Sequence, residues 1–158
     1  MRAAILTVSD TRKPNNDASG AIISQILTDH GATIVVQTIT TDDRQTLEST
    51  IRELADREDV NLVITTGGTG LSPRDNTPEA TLAVIDREAP GIAEAMRRET
   101  ASLHPMAMLS RGVCGIRGRA LLINLPGSPK GVEQCFAVIR PVLRHAIDQI
   151  TGQTSHEK

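Results

Sequence analysis

The chain has no tryptophan, no tyrosine and a single phenylalanine, Phe136, among 158 residues. Proteins that grip single-stranded nucleic acid stack bases on aromatic side chains, so that mode of binding is excluded. The formal net charge is −2, which leaves no broad basic face for a phosphate backbone. The two cysteines, Cys114 and Cys135, lack metal or redox spacing. They read as small buried thiols, and no His/Cys cluster suggests zinc. The apolar run after Met1-Arg2 ends at Ser9-Asp10, too short for a secretion leader or a membrane span. The expectation is a cytoplasmic protein with no nucleic-acid and no membrane partner.

What remains is aliphatic. Apolar residues make up 39% of the chain, so the core must be built from Ile, Val, Leu, Ala and Met. The length suits one domain, and a domain of this size buries roughly 68–70% of its unfolded surface. Ala3 to Val8, the β-branched Thr33 to Ile39 and Val60 to Thr65 read as strands. Helical spacing recurs in Ile22, Ile23, Ile26 and Leu27, ended by Gly31, and in Leu47, Ile51 and Leu54 behind Asp43 as N-cap. Pro78 opens a helix to about Asp86, and Pro90 another to about Ala101. Val113–Ile116 and Ala120–Asn124 flank Arg117-Gly118-Arg119 as a hairpin. The last helix carries Val132, Phe136, Ile139, Leu143 and Ile147 on one face, with a bend expected at Pro141 and an end at Gly152. Strand–helix alternation predicts a single α/β domain over 1–152. It is a three-layer α/β/α arrangement with a mostly parallel twisted sheet and a short antiparallel hairpin. Residues 153–158 read as a loose tail.

The most informative stretch is Leu62 to Ala80, which reads as strand, glycine loop and helix. Gly67, Gly68 and Gly70 permit a sharp turn and close approach to a ligand. Thr77 reads as an N-cap and Pro78 as the first helical residue. Backbone N–H groups in such a turn favour an anion. The loop holds no lysine, so it is not a Walker A motif, and Pro73 stands where G-x-G-x-x-G needs its third glycine. A ligand-free glycine turn is the plainer reading, but such a turn does not require Asp75. A carboxylate about 4 Å from a phosphate costs about 4 kcal/mol at an effective dielectric near 20. Arg74 offsets some of that, and a divalent cation offsets it better.

In parallel sheets ligands bind beyond the carboxyl ends of the strands. The loops that should meet there hold Ser9 and Asp10, Thr41-Asp42-Asp43, the glycine loop with Asp75, and Asn124 with Pro126-Gly127-Ser128-Pro129. Asp42 or its neighbour Asp43, with Asp75, can flank a metal-bound phosphate. The amides of Gly67, Gly68, Thr69 and Gly70 can hold phosphate oxygens, with Thr77 behind them. Asn124, Ser128 and Lys130 can hold a second anionic group. Asp10 and Asp17 stand evenly between ligand contact and turn formation, as Ser110 and Arg111 do between surface and substrate. The histidines, His30, His104, His145 and His156, lie away from these loops. Two anion sites, a cation and no resident nucleophile favour phosphoryl or nucleotidyl transfer. A pure binding module fits the same residues.

Thr65-Thr66-Gly67-Gly68-Thr69-Gly70, Arg74-Asp75 with Thr77-Pro78-Glu79-Ala80, Asp17 with Ser19-Gly20, and Pro126-Gly127-Ser128-Pro129-Lys130 resemble the molybdopterin-binding (MoaB/Mog) domain family. The resemblance runs from about Ala3 to Gly152. It implies adenylylation of molybdopterin in molybdenum cofactor biosynthesis. The terminal phosphate of molybdopterin attacks the α-phosphorus of ATP, with Mg2+, and pyrophosphate leaves. The family's two acidic positions map onto Asp42 and Asp75 as catalytic and metal-binding residues. Ser9, Asp10, Gly67, Gly68, Thr69, Gly70, Thr77, Ser110, Asn124, Pro126, Gly127, Ser128 and Lys130 become the substrate- and nucleotide-binding set. Thr41 stands where proline is common in the family. The resemblance also implies a homotrimer or dimer of trimers and hand-off to a molybdenum insertase. The same domain occurs in that insertase and in competence-damage-type proteins. A non-catalytic molybdopterin carrier is the alternative, and the retained Asp42 argues against it.

Overall fold

The computed structural model describes residues 1–153. Its elements are β1 (Arg2–Val8), α1 (Ala18–Asp29), β2 (Thr33–Thr40), α2 (Arg44–Ala55), β3 (Leu62–Thr66), α3 (Thr77–Leu82), β4 (Arg87–Glu88), α4 (Pro90–Ala101), β5 (Cys114–Arg117), β6 (Ala120–Leu125) and α5 (Pro129–Thr151). Short 3-10 turns cover Pro14–Asn16 and Pro105–Leu109.

Strand order is β2-β1-β3-β6-β5-β4. The first four strands are parallel, and β5 pairs antiparallel with both β6 and β4. The expected mostly parallel sheet with one hairpin is what forms. Along β1 the side chains alternate between two cores, as a strand buried on both faces requires. Ala3 and Ile5 face one layer with Ile23, Ala93, Phe136 and Ile139, from α1, α4 and α5. Ala4, Leu6 and Val8 face the other with Leu47, Ile51 and Ala80, from α2 and α3. Phe136, the chain's one aromatic, is 2% exposed. Burying a Leu, Ile or Phe contributes about 1.5–3 kcal/mol, so these aliphatic layers hold the fold with little aromatic help.

Some boundaries differ from the sequence reading. α3 ends at Leu82, short of Asp86, because the chain leaves it to pair with β5. There Asp86 N–H donates to Ile116 O (2.8 Å) and Ala89 N–H to Cys114 O (2.8 Å). The resulting edge strand β4 is two exposed residues, Arg87 and Glu88, with no apolar signal to announce it. Asn76 is the N-cap of α3, and Thr77 already lies inside the helix. α5 continues through Pro141. The carbonyl that Pro141 leaves without an N–H partner belongs to the exposed Ala137, where solvent can reach it. Asp43 caps α2 as expected, accepting Thr46 N–H at 2.9 Å. The expected tail lies, from 154 on, outside the described residues.

The sheet's direction separates its two ends. β1, β2, β3 and β6 all point their carboxyl ends the same way, so the loops that follow them share one edge. α5 starts at that edge and runs back for about 35 Å at 1.5 Å per residue. It ends near Met1, which packs on the same core layer as Ile147 and Ile150. Burial first, then the charge of Arg144, lowers the Met1 amino group's pKa, while Asp148 raises it.

Candidate active site

The glycine loop is moulded by its neighbours. Gly67 and Gly68 take φ of +98° and +64°, values that side chains resist. A Cβ on Gly67 would lie 2.5 Å from the Val8 carbonyl oxygen. Thr77 holds the loop from within. Its N–H donates to Gly68 O (3.1 Å) and its hydroxyl to Gly67 O (2.9 Å), and its side chain is fully buried. The turn after β6 closes on the same loop. Thr66 hydroxyl donates to Pro126 O (2.7 Å), Gly67 N–H donates to Leu125 O (3.2 Å), and Ser19 hydroxyl and Arg12 both donate to Gly127 O. Ser128 caps α5, accepting Gly131 N–H at 3.1 Å.

These two loops form one wall of a cavity of about 650 Å³, within the range of small-molecule sites. Gly67, Gly68, Thr69, Gly70 and Asp75 line it from one loop, and Asn124, Pro126, Gly127, Ser128 and Lys130 from the other. Ser110 lines it too. The opposite wall, from α4 and the Pro105–Leu109 turn, carries Met96, Met106 and Leu109 and is largely apolar. Asn124 is 2% exposed. Its amide group donates to the hydroxyls of Thr65 and Thr81 (2.9 Å each), and its oxygen accepts Val113 N–H (3.1 Å).

Ser9, Asp10, Asp42 and Thr77 do not line the cavity. Thr77 lies under the loop. The two aspartates join a polar cluster linked to Asp75. Asp10 accepts Asp42 N–H (3.1 Å) and pairs with Arg74. Asn76 donates its amide to the carbonyls of Asp42 and Arg74 (3.2 Å each). Asp75 accepts Ser72 N–H (3.0 Å). Burial first, then the nearby charge of Asp75, pushes the Asp42 carboxyl above the ordinary carboxylate range. Ser9 hydroxyl accepts the N–H groups of Thr11 and Arg12 (3.2 Å each) and so shapes its own turn. Asp17, left open between ligand and turn, is the buried N-cap of α1, taking bonds from Gly20 N–H (3.0 Å) and Thr7 hydroxyl (2.5 Å).

Among the described residues, no group of three or more His, Cys, Asp and Glu converges as a metal cage. Two half-buried carboxylates, one pushed up by burial and then by the charge of the other, nonetheless suit a hard cation. Magnesium is commonly held by one or two carboxylates together with substrate phosphates. The residues present therefore fit such an ion.

Sequence reasoning missed Arg97, and it left Arg111 open between surface and substrate. Arg97 of α4 donates to the carbonyls of Gly112 (2.7 Å) and Ser110 (3.4 Å). On an amphipathic helix its position reads as solvated, so nothing in the sequence marked it. His104, expected to lie away from the site loops, lines the cavity with them, because the connection after α4 folds back over it, and Gln134 and Cys135 line it too. Burial raises the Cys135 thiol to about 11.

A glycine loop, a second capped turn and an acid pair, all at the carboxyl edge of a doubly wound sheet, define an α/β protein whose cavity suits an anionic ligand of moderate size. Residues 4–145 match the family model for a probable molybdopterin binding domain, and the chain belongs to that family, with homologues named for molybdenum cofactor synthesis. It is 36% identical to the molybdopterin adenylyltransferase of Helicobacter pylori (strain ATCC 700392 / 26695) over 94% of this chain and 86% of that protein. It is 40% identical to the molybdenum cofactor synthesis protein cinnamon of Drosophila melanogaster over 96% of this chain, a stretch that makes up 26% of that longer protein. The crystal structure of the molybdopterin biosynthesis enzyme MoaB from Thermus thermophilus superimposes with a TM-score of 0.88 and 44% identity, covering 96% of each chain.

Proposed function

We propose that the chain is a molybdopterin adenylyltransferase. It binds ATP and molybdopterin and transfers AMP to the terminal phosphate of molybdopterin. An oxygen of that phosphate bonds to the α-phosphorus of ATP as the bond from the α-phosphorus to the bridging oxygen breaks, and pyrophosphate leaves. The observation that carries the reading is the double position of Asp75. It lines the cavity and also lies close enough to Asp42 to raise that residue's pKa. An acceptor bound in the cavity and a triphosphate at the acid pair would thus meet at one residue.

Asp42 and Asp75 would hold Mg2+, whose chemistry when bound is to neutralise the triphosphate and the departing pyrophosphate. The amides of Gly68, Thr69 and Gly70 would hold phosphate oxygens, while that of Gly67 is engaged by Leu125 O, and Lys130 and the α5 N-terminus capped by Ser128 favour a second anion. Thr77 and Asn124 act from beneath, keeping the loops in shape. We further propose a cytoplasmic homotrimer or dimer of trimers that hands its product to a molybdenum insertase. The exposed Leu103, Met106 and Met108 give apolar surface of the kind that self-association covers.

The test is pyrophosphate release from Mg-ATP with and without molybdopterin. Pterin-dependent release, with AMP found on the pterin, is expected. Asp75→Asn should lower the rate by about 100-fold or more, as loss of a group stabilising transition-state charge does, while molybdopterin still binds. Full activity in Asp75→Asn refutes the metal assignment. Tight pterin binding with no release in the unaltered protein identifies a carrier instead.

A further inference from the structure

Arg111 lies outside the groups that would touch either substrate, yet it organises the segment between them. Its backbone N–H donates to Thr69 O at 2.8 Å. Its guanidinium donates through Nε to Gly70 O (2.7 Å), through Nη2 to Asp75 O (2.6 Å) and through Nη1 to the Glu79 carboxylate. One planar fork therefore grips both ends of the Gly70–Asp75 segment and ties them to the first turn of α3. Leu71, Ser72, Pro73 and Arg74 between those grips are exposed. Inside the segment few other bonds fix its shape: Asp75 N–H to Ser72 O (2.9 Å), Ser72 N–H to the Asp75 carboxylate, and a weak Arg74 N–H to Ser72 hydroxyl (3.3 Å).

As an ion pair alone, Arg111 with Glu79 would contribute little, since the two side chains are 35% and 36% exposed. The two carbonyls set it apart, because they belong to the residues that position Asp75. The second Glu79 oxygen, Oε2, is buried and has no partner. The pair therefore carries a buried polar atom without a protein partner, which a fully solvated surface ion pair does not. Burial pushes Glu79 up, but hydrogen bonds from Arg111 and the backbone, with the charge of Arg111, leave it below its ordinary value and so ionised. Arg97 in turn holds the carbonyls on either side of Arg111, those of Ser110 and Gly112.

We infer that Arg111 is a positioning residue: it fixes the main chain at Asp75 and thereby sets how tightly the divalent cation is held with ATP. The inference rests on the adenylyltransferase reading for its effect on turnover. Lysine carries the same charge but cannot reach three separated acceptors with one ammonium. In Arg111→Met and Arg111→Lys the Mg2+ concentration for half-maximal pyrophosphate release should rise about tenfold, the low end for groups that support metal ligands, with molybdopterin affinity changed less than about twofold. Mn2+ affinity in the presence of ATP, read by electron paramagnetic resonance without turnover, should weaken by the same factor. Amide exchange at Ser72 and Asp75 should quicken in the ligand-free protein, while amides of β3 and β6 stay protected.

Glu79→Gln keeps an acceptor for Arg111 and should shift the Mg2+ requirement in the same direction by about threefold. That variant serves if Arg111→Met fails to fold. Unchanged metal dependence and unchanged exchange at Ser72 and Asp75 in a folded variant overturn the inference, as does full rescue by lysine. If the unaltered protein releases no pyrophosphate, the adenylyltransferase reading fails by itself. Mn2+–ATP affinity and amide exchange then still decide the role of Arg111.

Discussion

Asn124 offers a direct test of how the site is held up. Replacing it with leucine keeps the heavy-atom count and branching with a somewhat bulkier side chain, so no cavity is opened. What is lost is polar. Val113 N–H loses its acceptor, and the hydroxyls of Thr65 and Thr81 lose a shared donor. Thr81 still donates to Thr77 O at 2.8 Å, and the backbone bond from Asn124 N–H to Val113 O remains. Three side-chain hydrogen bonds at about 1 kcal/mol each give a loss of about 3 kcal/mol. For a chain of this size that corresponds to a fall in Tm of about 6–12 °C. Thermal and urea unfolding at one fixed protomer concentration would measure it, since self-association makes Tm depend on concentration. Molybdopterin affinity of the folded fraction should stay close to that of the unaltered protein. A Tm within about 3 °C of the unaltered protein, together with lost pterin binding, would refute the reasoning and make Asn124 a ligand contact.

Further outcomes follow from the same geometry. Gly67→Ala forces a Cβ to 2.5 Å from Val8 O at φ +98° and should cost about 3 kcal/mol in urea unfolding; a loss under about 1 kcal/mol would mean that the loop relaxes freely. Asp75→Asn should bring the Asp42 carboxyl down towards its ordinary value, read by NMR titration without metal, because one of the two causes raising it is removed. Asp42's raised value penalises its charged form, so its cost to stability should fade as pH falls through the folded pKa. Cys114 and Cys135 are raised from 9.0 to about 12 and about 11 by burial. The folded protein keeps protons that the unfolded chain releases, so stability should fall as pH rises above about 9. Both thiols should resist iodoacetamide at pH 8 in the folded state, and quick labelling of Cys135 would mean that its cavity wall opens.

The features legible in the sequence are those with a local cause. Aliphatic runs of strand length became β1, β3 and β6, and Asp43 reads as a cap because its carboxylate serves an N–H three residues on. The glycine loop was visible because tight backbone turns need residues without Cβ. Features set by distant partners were not legible. β4 exists only because β5 offers it an edge, and Thr77 spends its hydroxyl on Gly67 across ten residues rather than on its own helix. Asn124 resembles a ligand-binding amide until Thr65, Thr81 and Val113 surround it. Arg97 and Arg111 are surface cations by pattern, and their carbonyl partners become adjacent only once the loops fold together.

Both described ends of the chain leave from the edge opposite the cavity, with Met1 beside the last turns of α5. The domain is therefore built like a plug with its pins on the back. A linker or neighbouring domain joined there extends away from the cavity, and neither the glycine loop nor the acid pair has to move to make room. Ligand chemistry and chain connectivity occupy opposite ends of the same sheet, so a longer polypeptide can carry this unit as an insert with its site intact.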